Sequence, residues 1–118
     1  MNNAANYGCA LSSLVAQAAA IRRIHKQDVQ IGDRLYVVTQ NSLYHVRVVG
    51  DSWYDVSGGW FDSDGVAPLR TRIVGCTWGG SAMMVDIVAA CGLCIEFGNR
   101  VVTSPIRKLI IIRRGSEN

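Results

Sequence analysis

Cys91-Gly92-Leu93-Cys94 places two thiols three positions apart, a spacing that lets a pair share a metal ion or close a redox disulfide. A redox pair of this kind opens a helix after a strand, where the helix dipole lowers the thiol pKa. Here Leu93, Ile95 and Phe97 alternate as they would in a continuing strand. Zinc would need two further ligands, for which Cys76, His25 and His45 are the candidates, and no second closely spaced pair exists. The preferred reading is that the cysteines are small buried hydrophobes, with Cys91, Cys94 and Cys76 kept as candidate metal ligands. His45, between Leu43 and Arg47, is expected on an outward face as an ordinary surface residue. Asp86 and Glu96 could oppose one another as a carboxylate pair, but cross-strand pairing with Arg47, Arg70 or Arg72 explains outward acids as well. There is no glycine-rich phosphate loop, no paired metal-ligand histidines and no Gly-x-Ser-x-Gly turn. No catalytic residue and no cofactor is therefore assigned, and the chain is read as non-enzymatic.

The aromatic residues are the more suggestive group. Trp53, Tyr54, Trp60, Phe61 and Trp78 gather around two glycine pairs, Gly58-Gly59 and Gly79-Gly80. In small β-barrels that bind single-stranded nucleic acid, bases stack on such rings while arginines follow the phosphates. Trp53, Trp60, Trp78, Arg70, Arg72 and Arg100 are the binding-surface candidates on that reading. The plainer reading, preferred here, is that the tryptophans fill the ends of a small barrel.

These residues must be carried by a chain of 118 residues, enough for one domain that removes roughly two-thirds of its unfolded surface from water. A hydrophobic fraction of 49% and a charged fraction of 18% fit an ordinary globular protein and exclude intrinsic disorder. Ten arginines and two lysines against nine carboxylates leave a net charge of +3. That is mildly basic, permitting nucleic acid without demanding it.

From Tyr7 to Lys26, Leu11, Leu14, Val15, Ala18, Ile21 and His25 recur at spacings of three and four, which predicts an amphipathic helix closed by Arg22, Arg23 and Lys26. After Gly32-Asp33 the period changes to two. Leu35, Val37 and Thr39 should face inward, then Tyr44, Val46 and Val48 after a reversal at Gln40-Asn41. A segment from Trp53 to Phe61 is expected to bend at Gly58-Gly59. Leu69, Thr71 and Ile73, then Met83, Val85 and Ile87, then Leu93, Ile95 and Phe97 form further inward sets. Ile106 to Arg113 lacks alternation, so both its faces should be covered, the N-terminal helix being the expected cover. The fold class predicted is mainly β, a six- or seven-stranded antiparallel barrel or curled sheet with one N-terminal α-helix. Residues 1–28 would form the helix, 29–113 the barrel-like domain and 114–118 a disordered tail.

Gly32-Asp33, Thr39, Asn41-Ser42, Tyr44, Ser57-Gly58-Gly59, Gly98-Asn99 and Thr103-Ser104 resemble a pattern in small bacterial β-domain proteins of unassigned function, across about residues 29 to 112. The resemblance implies a β fold and brings no catalytic or binding residues with it. The expected function is a non-enzymatic binding or assembly module, with self-association or a protein partner suggested by the helix stripe and the apolar last strand. The alternatives are a single-stranded nucleic-acid-binding barrel and a thiol or zinc site at Cys91 and Cys94. No export signal or membrane-spanning run is read, which predicts a cytoplasmic protein with reduced thiols.

Overall fold

The computed structural model describes residues 18–78 and 82–114. Its strands are β1 (Ala18–Ile21), β2 (Arg23–His25), β3 (Arg34–Thr39), β4 (Leu43–Gly50), β5 (Trp53–Gly58), β6 (Leu69–Thr71), β7 (Ile73–Thr77), β8 (Met83–Met84), β9 (Ile87–Ala90), β10 (Cys94–Phe97) and β11 (Ile106–Ile112). A 3₁₀ turn covers Lys26–Asp28, and one short helix, α1, covers Gly59–Ser63. The protein is mainly β, and among the described residues every strand pairing is antiparallel.

The strands do not close into a barrel. They form a six-stranded sheet in the order β1-β11-β3-β4-β5-β6, a three-stranded sheet β10-β7-β8 and a two-stranded pair β2-β9. The reason lies at the two outer strands of the large sheet. Arg22 alone separates β1 from β2, and Arg72 alone separates β6 from β7, so each edge turns into a different sheet before the edges can meet.

The predicted helix is corrected where it can be seen. Ala18–Ile21 is a strand pairing with β11, Ala18 opposite Ile112 and Ile21 opposite Leu109, and Arg23–His25 pairs with β9. Helix propensity of an alanine run is a fraction of a kcal/mol per residue, and strand pairing overrides it here. Its earlier part, to residue 17, lies outside the described residues, as do the Gly79-Gly80 turn and tail residues 115–118. β11 runs between β1 and β3, which pair both its edges; Leu109 and Ile111 are buried in the core, while Ile110 is only half-buried.

Alternation predicted the central hairpin correctly. Leu35, Val37, Thr39, Tyr44, Val46 and Val48 are all buried, as are Ile73, Leu93, Ile95 and Phe97. Val85, expected inward, is exposed in the turn after β8. The bend at Gly58-Gly59 is a helix start rather than a strand bulge. Gly58 and Gly59 both adopt positive φ, 89° and 45°, and a Cβ at Gly58 would collide with the Leu43 carbonyl. Asp62 Oδ1 then accepts from the Gly58 amide at 2.9 Å, closing the turn. This drives Phe61 into the core, edge-on to Phe97 at 5.0 Å and to Tyr44 at 6.1 Å.

Several turn residues behind the family resemblance meet in space. Ser104 donates to Thr39 Oγ1 at 2.8 Å, the Asn41 amide donates to Ser104 Oγ at 3.1 Å, and Thr39 Oγ1 donates to the Ser42 carbonyl at 3.0 Å. They staple the β3–β4 turn to the entry of β11.

Asp33, 1% exposed, ties the other end. It accepts from the Gln30 amide at 2.9 Å, Arg113 Nη1 at 2.8 Å and the Arg114 amide at 3.0 Å. Asp33→Asn is expected to cost about 2 kcal/mol of unfolding free energy, since it weakens charge-assisted bonds at a buried group. Urea denaturation checks this, and an unchanged midpoint would remove Asp33 from the sheet's supports.

Candidate functional site

Because side chains alternate, the residues between the buried positions of β3, β4, β5 and β6 share the outer face of the large sheet. Their register builds one continuous row: Arg34 opposite Arg47, Arg47 opposite Asp55, and Asp55 opposite Arg70. The adjoining row is Tyr36, His45 and Ser57. Like charges directly opposite one another, as at Arg34 and Arg47, are destabilising by tenths of a kcal/mol in an isolated sheet.

Asp55 is the acid in this row. Arg70 grips it with two bonds, Nε to Oδ1 at 2.9 Å and Nη2 to Oδ2 at 3.3 Å, while Arg47 stands 3.7 Å away. The hydrogen bond from Arg70 holds the Asp55 carboxyl below its ordinary pKa. The outward acid that meets Arg70 is thus Asp55, rather than Asp86 or Glu96. Asp86 lies in the turn after β8, its carbonyl accepting from the Lys26 amide, and Glu96 lies on β10 opposite Gly75.

Planar groups flank the arginines on both sides. On one side the Arg72 guanidinium covers the Trp53 ring at 4.3 Å. On the other, the Tyr36 and His45 rings stack with centroids 4.9 Å apart and planes tilted by 41°. His45 faces outward as expected but is half-buried, and among the described residues its Nε2 is enclosed without a hydrogen-bond partner. Burial, then the charges of Arg34 and Arg47, hold its pKa below the ordinary 6.5.

The candidates from sequence divide between this face and elsewhere. Trp53, Arg70 and Arg72 belong to it. Arg100 sits in the exposed turn after β10, whose Gly98 amide donates to the Arg72 carbonyl at 2.7 Å. Trp60 lies on α1, edge-on to Phe61. Trp78 follows β7 and lies in a separate groove with Arg22, Arg23, Met84 and Cys91. The tryptophans do not fill barrel ends: Trp53, Trp60 and Trp78 are 37%, 39% and 62% exposed, while Tyr54 and Phe61 take the core positions. Sequence reasoning missed Arg34, Tyr36 and Arg114 as surface candidates. The signal for the first two was the complement of the inward set that it had already read on β3.

Cys76 and Cys91 meet different backbone carbonyls. Cys76 is buried with Sγ 3.6 Å from the Val88 carbonyl, whereas Cys91 Sγ lies 3.8 Å from the Ile21 carbonyl. Among the described residues no three of His, Cys, Asp and Glu are grouped to hold a metal ion. Burial pushes the Cys76 thiol up to about 12 and raises Cys94 as well.

No protein-family model, curated protein or solved structure matches the chain. The outer face of the large sheet is accordingly read from its own chemistry.

Two measurements probe this description. An NMR titration should place the His45 midpoint below 6.5, and Arg47→Gln should raise it by removing one repelling charge. Between the folded midpoint and 6.5 the unfolded chain binds a proton that the folded chain does not, so His45 makes stability fall as pH drops through that window. A midpoint above 6.5 would refute the positive potential assigned here. Cys76 should also resist thiol reagents at mildly alkaline pH until the protein unfolds; rapid labelling of the native protein would contradict its burial.

Proposed function

We propose that the protein is a non-enzymatic binding module whose outer sheet face takes single-stranded nucleic acid. The observation that carries this reading is the cross-strand row Arg34, Arg47, Asp55 and Arg70, set between the Trp53–Arg72 and Tyr36–His45 stacks. Guanidinium groups meet phosphates by charge and paired hydrogen bonds, and exposed rings offer bases a stacking surface. Antiparallel strands stand about 4.8 Å apart, so β3 and β4 present cations side by side and β6 presents another beyond Asp55 on β5, a line that a polynucleotide backbone can follow. His45 stands opposite Ser57, yet among the described residues its Nε2 has no hydrogen-bond partner, which favours binding over catalysis as the role proposed for this face.

A second reading, assembly into oligomers, is favoured by β1. It is the outer strand of the large sheet, and among the described residues its far edge carries no strand. Light scattering that returns a monomer at every concentration would end it.

Fluorescence anisotropy with labelled single-stranded DNA and RNA tests the primary reading. Binding should weaken with salt, the logarithmic slope being about 0.7 for each phosphate contacted. Arg47→Gln should reduce that slope by about one such increment. Trp53→Ala should cost about 1–3 kcal/mol of affinity through lost stacking, and Trp78→Ala, in the separate groove, should cost none. Absence of binding at low ionic strength, or equal losses from both tryptophan variants, would defeat the proposal.

A further inference from the structure

A second concavity opens where the β4–β5 turn meets the segment leading into β3, on the side of the large sheet opposite the arginine row. Val48 and Tyr54, buried and paired across the two strands, line it together with Val29 and Ile31 around a volume of about 310 Å³. The segment before β3 is fixed to β4: the Gly32 amide donates to the Val48 carbonyl at 2.8 Å, and the Val48 amide donates to the Asp33 carbonyl at 2.9 Å. Ile31, 58% exposed, lies against Gly50, where a Cβ would stand only 3.0 Å from its Cδ1. An exposed aliphatic side chain is thus held in place by the backbone bonds of its neighbours.

The Tyr54 hydroxyl is the polar group left over. Tyr54 is 2% exposed, and among the described residues its hydroxyl makes no hydrogen bond, whereas the hydroxyl of Tyr44, equally deep, accepts from the Trp60 amide at 3.5 Å. Nor is the Tyr54 oxygen sealed in. Among the described residues the enclosed side-chain polar atom without a partner is His45 Nε2, so the small open part of Tyr54 includes its oxygen, and Tyr54 lines this pocket. Burial raises its pKa, which keeps the hydroxyl protonated and able to donate through neutral pH. Lys26 and Asp51 add opposite charges to the lining, which therefore carries none in sum, and the Lys26 ammonium already donates to the Val74 carbonyl at 3.2 Å.

We propose that this pocket binds a small uncharged amphipathic molecule, an aliphatic or aromatic body carrying one hydroxyl or carbonyl oxygen, with that oxygen paired to the Tyr54 hydroxyl. A buried hydroxyl without a partner lacks the bond that ordinarily offsets its desolvation, and a ligand oxygen restores it. Val29, Ile31 and Val48 offer the body an apolar surface. Ligand sites span roughly 300 to 1,000 Å³, and a volume at the small end of that range suits a molecule of single-ring size. Tyr54 faces inward and the arginine row outward, so this site stands or falls apart from the nucleic-acid reading.

The experiment follows the amide NMR signals of the full chain during titration with benzyl alcohol, toluene, benzoate or benzylamine, probes that share one ring and differ in the attached group. Benzyl alcohol should shift the amides of residues 31 and 50–52 and bind about fivefold tighter than toluene. Tyr54→Phe should hold or raise the urea midpoint, since no bond within the protein is lost, and should abolish that preference. Arg47→Gln, on the outer face, should leave it intact. Toluene binding as tightly as benzyl alcohol, a preference retained in Tyr54→Phe, or shifts that spare residues 31 and 50–52 would overturn the proposal. Tighter binding of benzoate or benzylamine would overturn the assignment of an uncharged ligand. A lowered urea midpoint in Tyr54→Phe would reveal a partner for the hydroxyl inside the protein and overturn it as well.

Discussion

A single buried carboxylate ties the entry of β3 to the residues that follow β11. Asp33 opens β3, yet its oxygens are taken by Arg113 and the Arg114 amide, which follow β11 some eighty positions later, and by the Gln30 amide just before it. Arg113 Nη1 also donates to the Asp28 carbonyl at 2.7 Å. These bonds place β11 alongside β3, giving the large sheet its interior strand, and bring the Arg114 side chain onto the outer face. A carboxylate with such little exposure is tolerable only when its oxygens are paired in this way.

The sheet that results has two unlike sides. Its inner side is closed by Leu35, Val37, Val46, Val56, Leu109 and Ile111, all at most 3% exposed, and by the Tyr44, Phe61 and Phe97 rings. That apolar burial is the dominant stabilising contribution and leaves the outer side free to hold groups that do not favour folding. Arg34 opposite Arg47, and an imidazole enclosed between them and Tyr36, are arrangements a sheet selected only for stability would avoid. Their cost is small beside the core, so the fold tolerates them.

How far these features could be read from the chain depends on how local their cause is. The β3–β4 hairpin was legible because alternation and a short turn specify it within fifteen residues or so. The strand at Ala18–Ile21 was not, since its alanines favour helix locally and only pairing with β11, far along the chain, makes them a strand. The helix start at Gly58 and Gly59 depended on positive φ angles that composition alone does not announce. Trp53 and Arg72 were picked out as residue types, but their stacking joins β5 to the residue between β6 and β7 and could not be seen without register. The concavity lined by Gly32, Arg34, His45, Arg47 and Arg114 was the least legible element. It draws on a turn, two strands and the segment after β11, which adjoin only once the sheet is assembled.

Ala18 and Ile112 lie opposite one another across β1 and β11, so the span that closes the large sheet is almost the whole described chain. Contacts of such long sequence separation slow folding, because loop-closure entropy opposes them before they return any energy. During synthesis the β3–β4–β5–β6 ribbon can form first, but its β3 edge then stays open until residues 106–114 emerge. A ribosome-bound intermediate would therefore display an unsatisfied strand edge, along with a half-built basic surface lacking Arg114. Capture of that edge by β11 both satisfies its open backbone groups and completes the basic outer surface, making the two a single event.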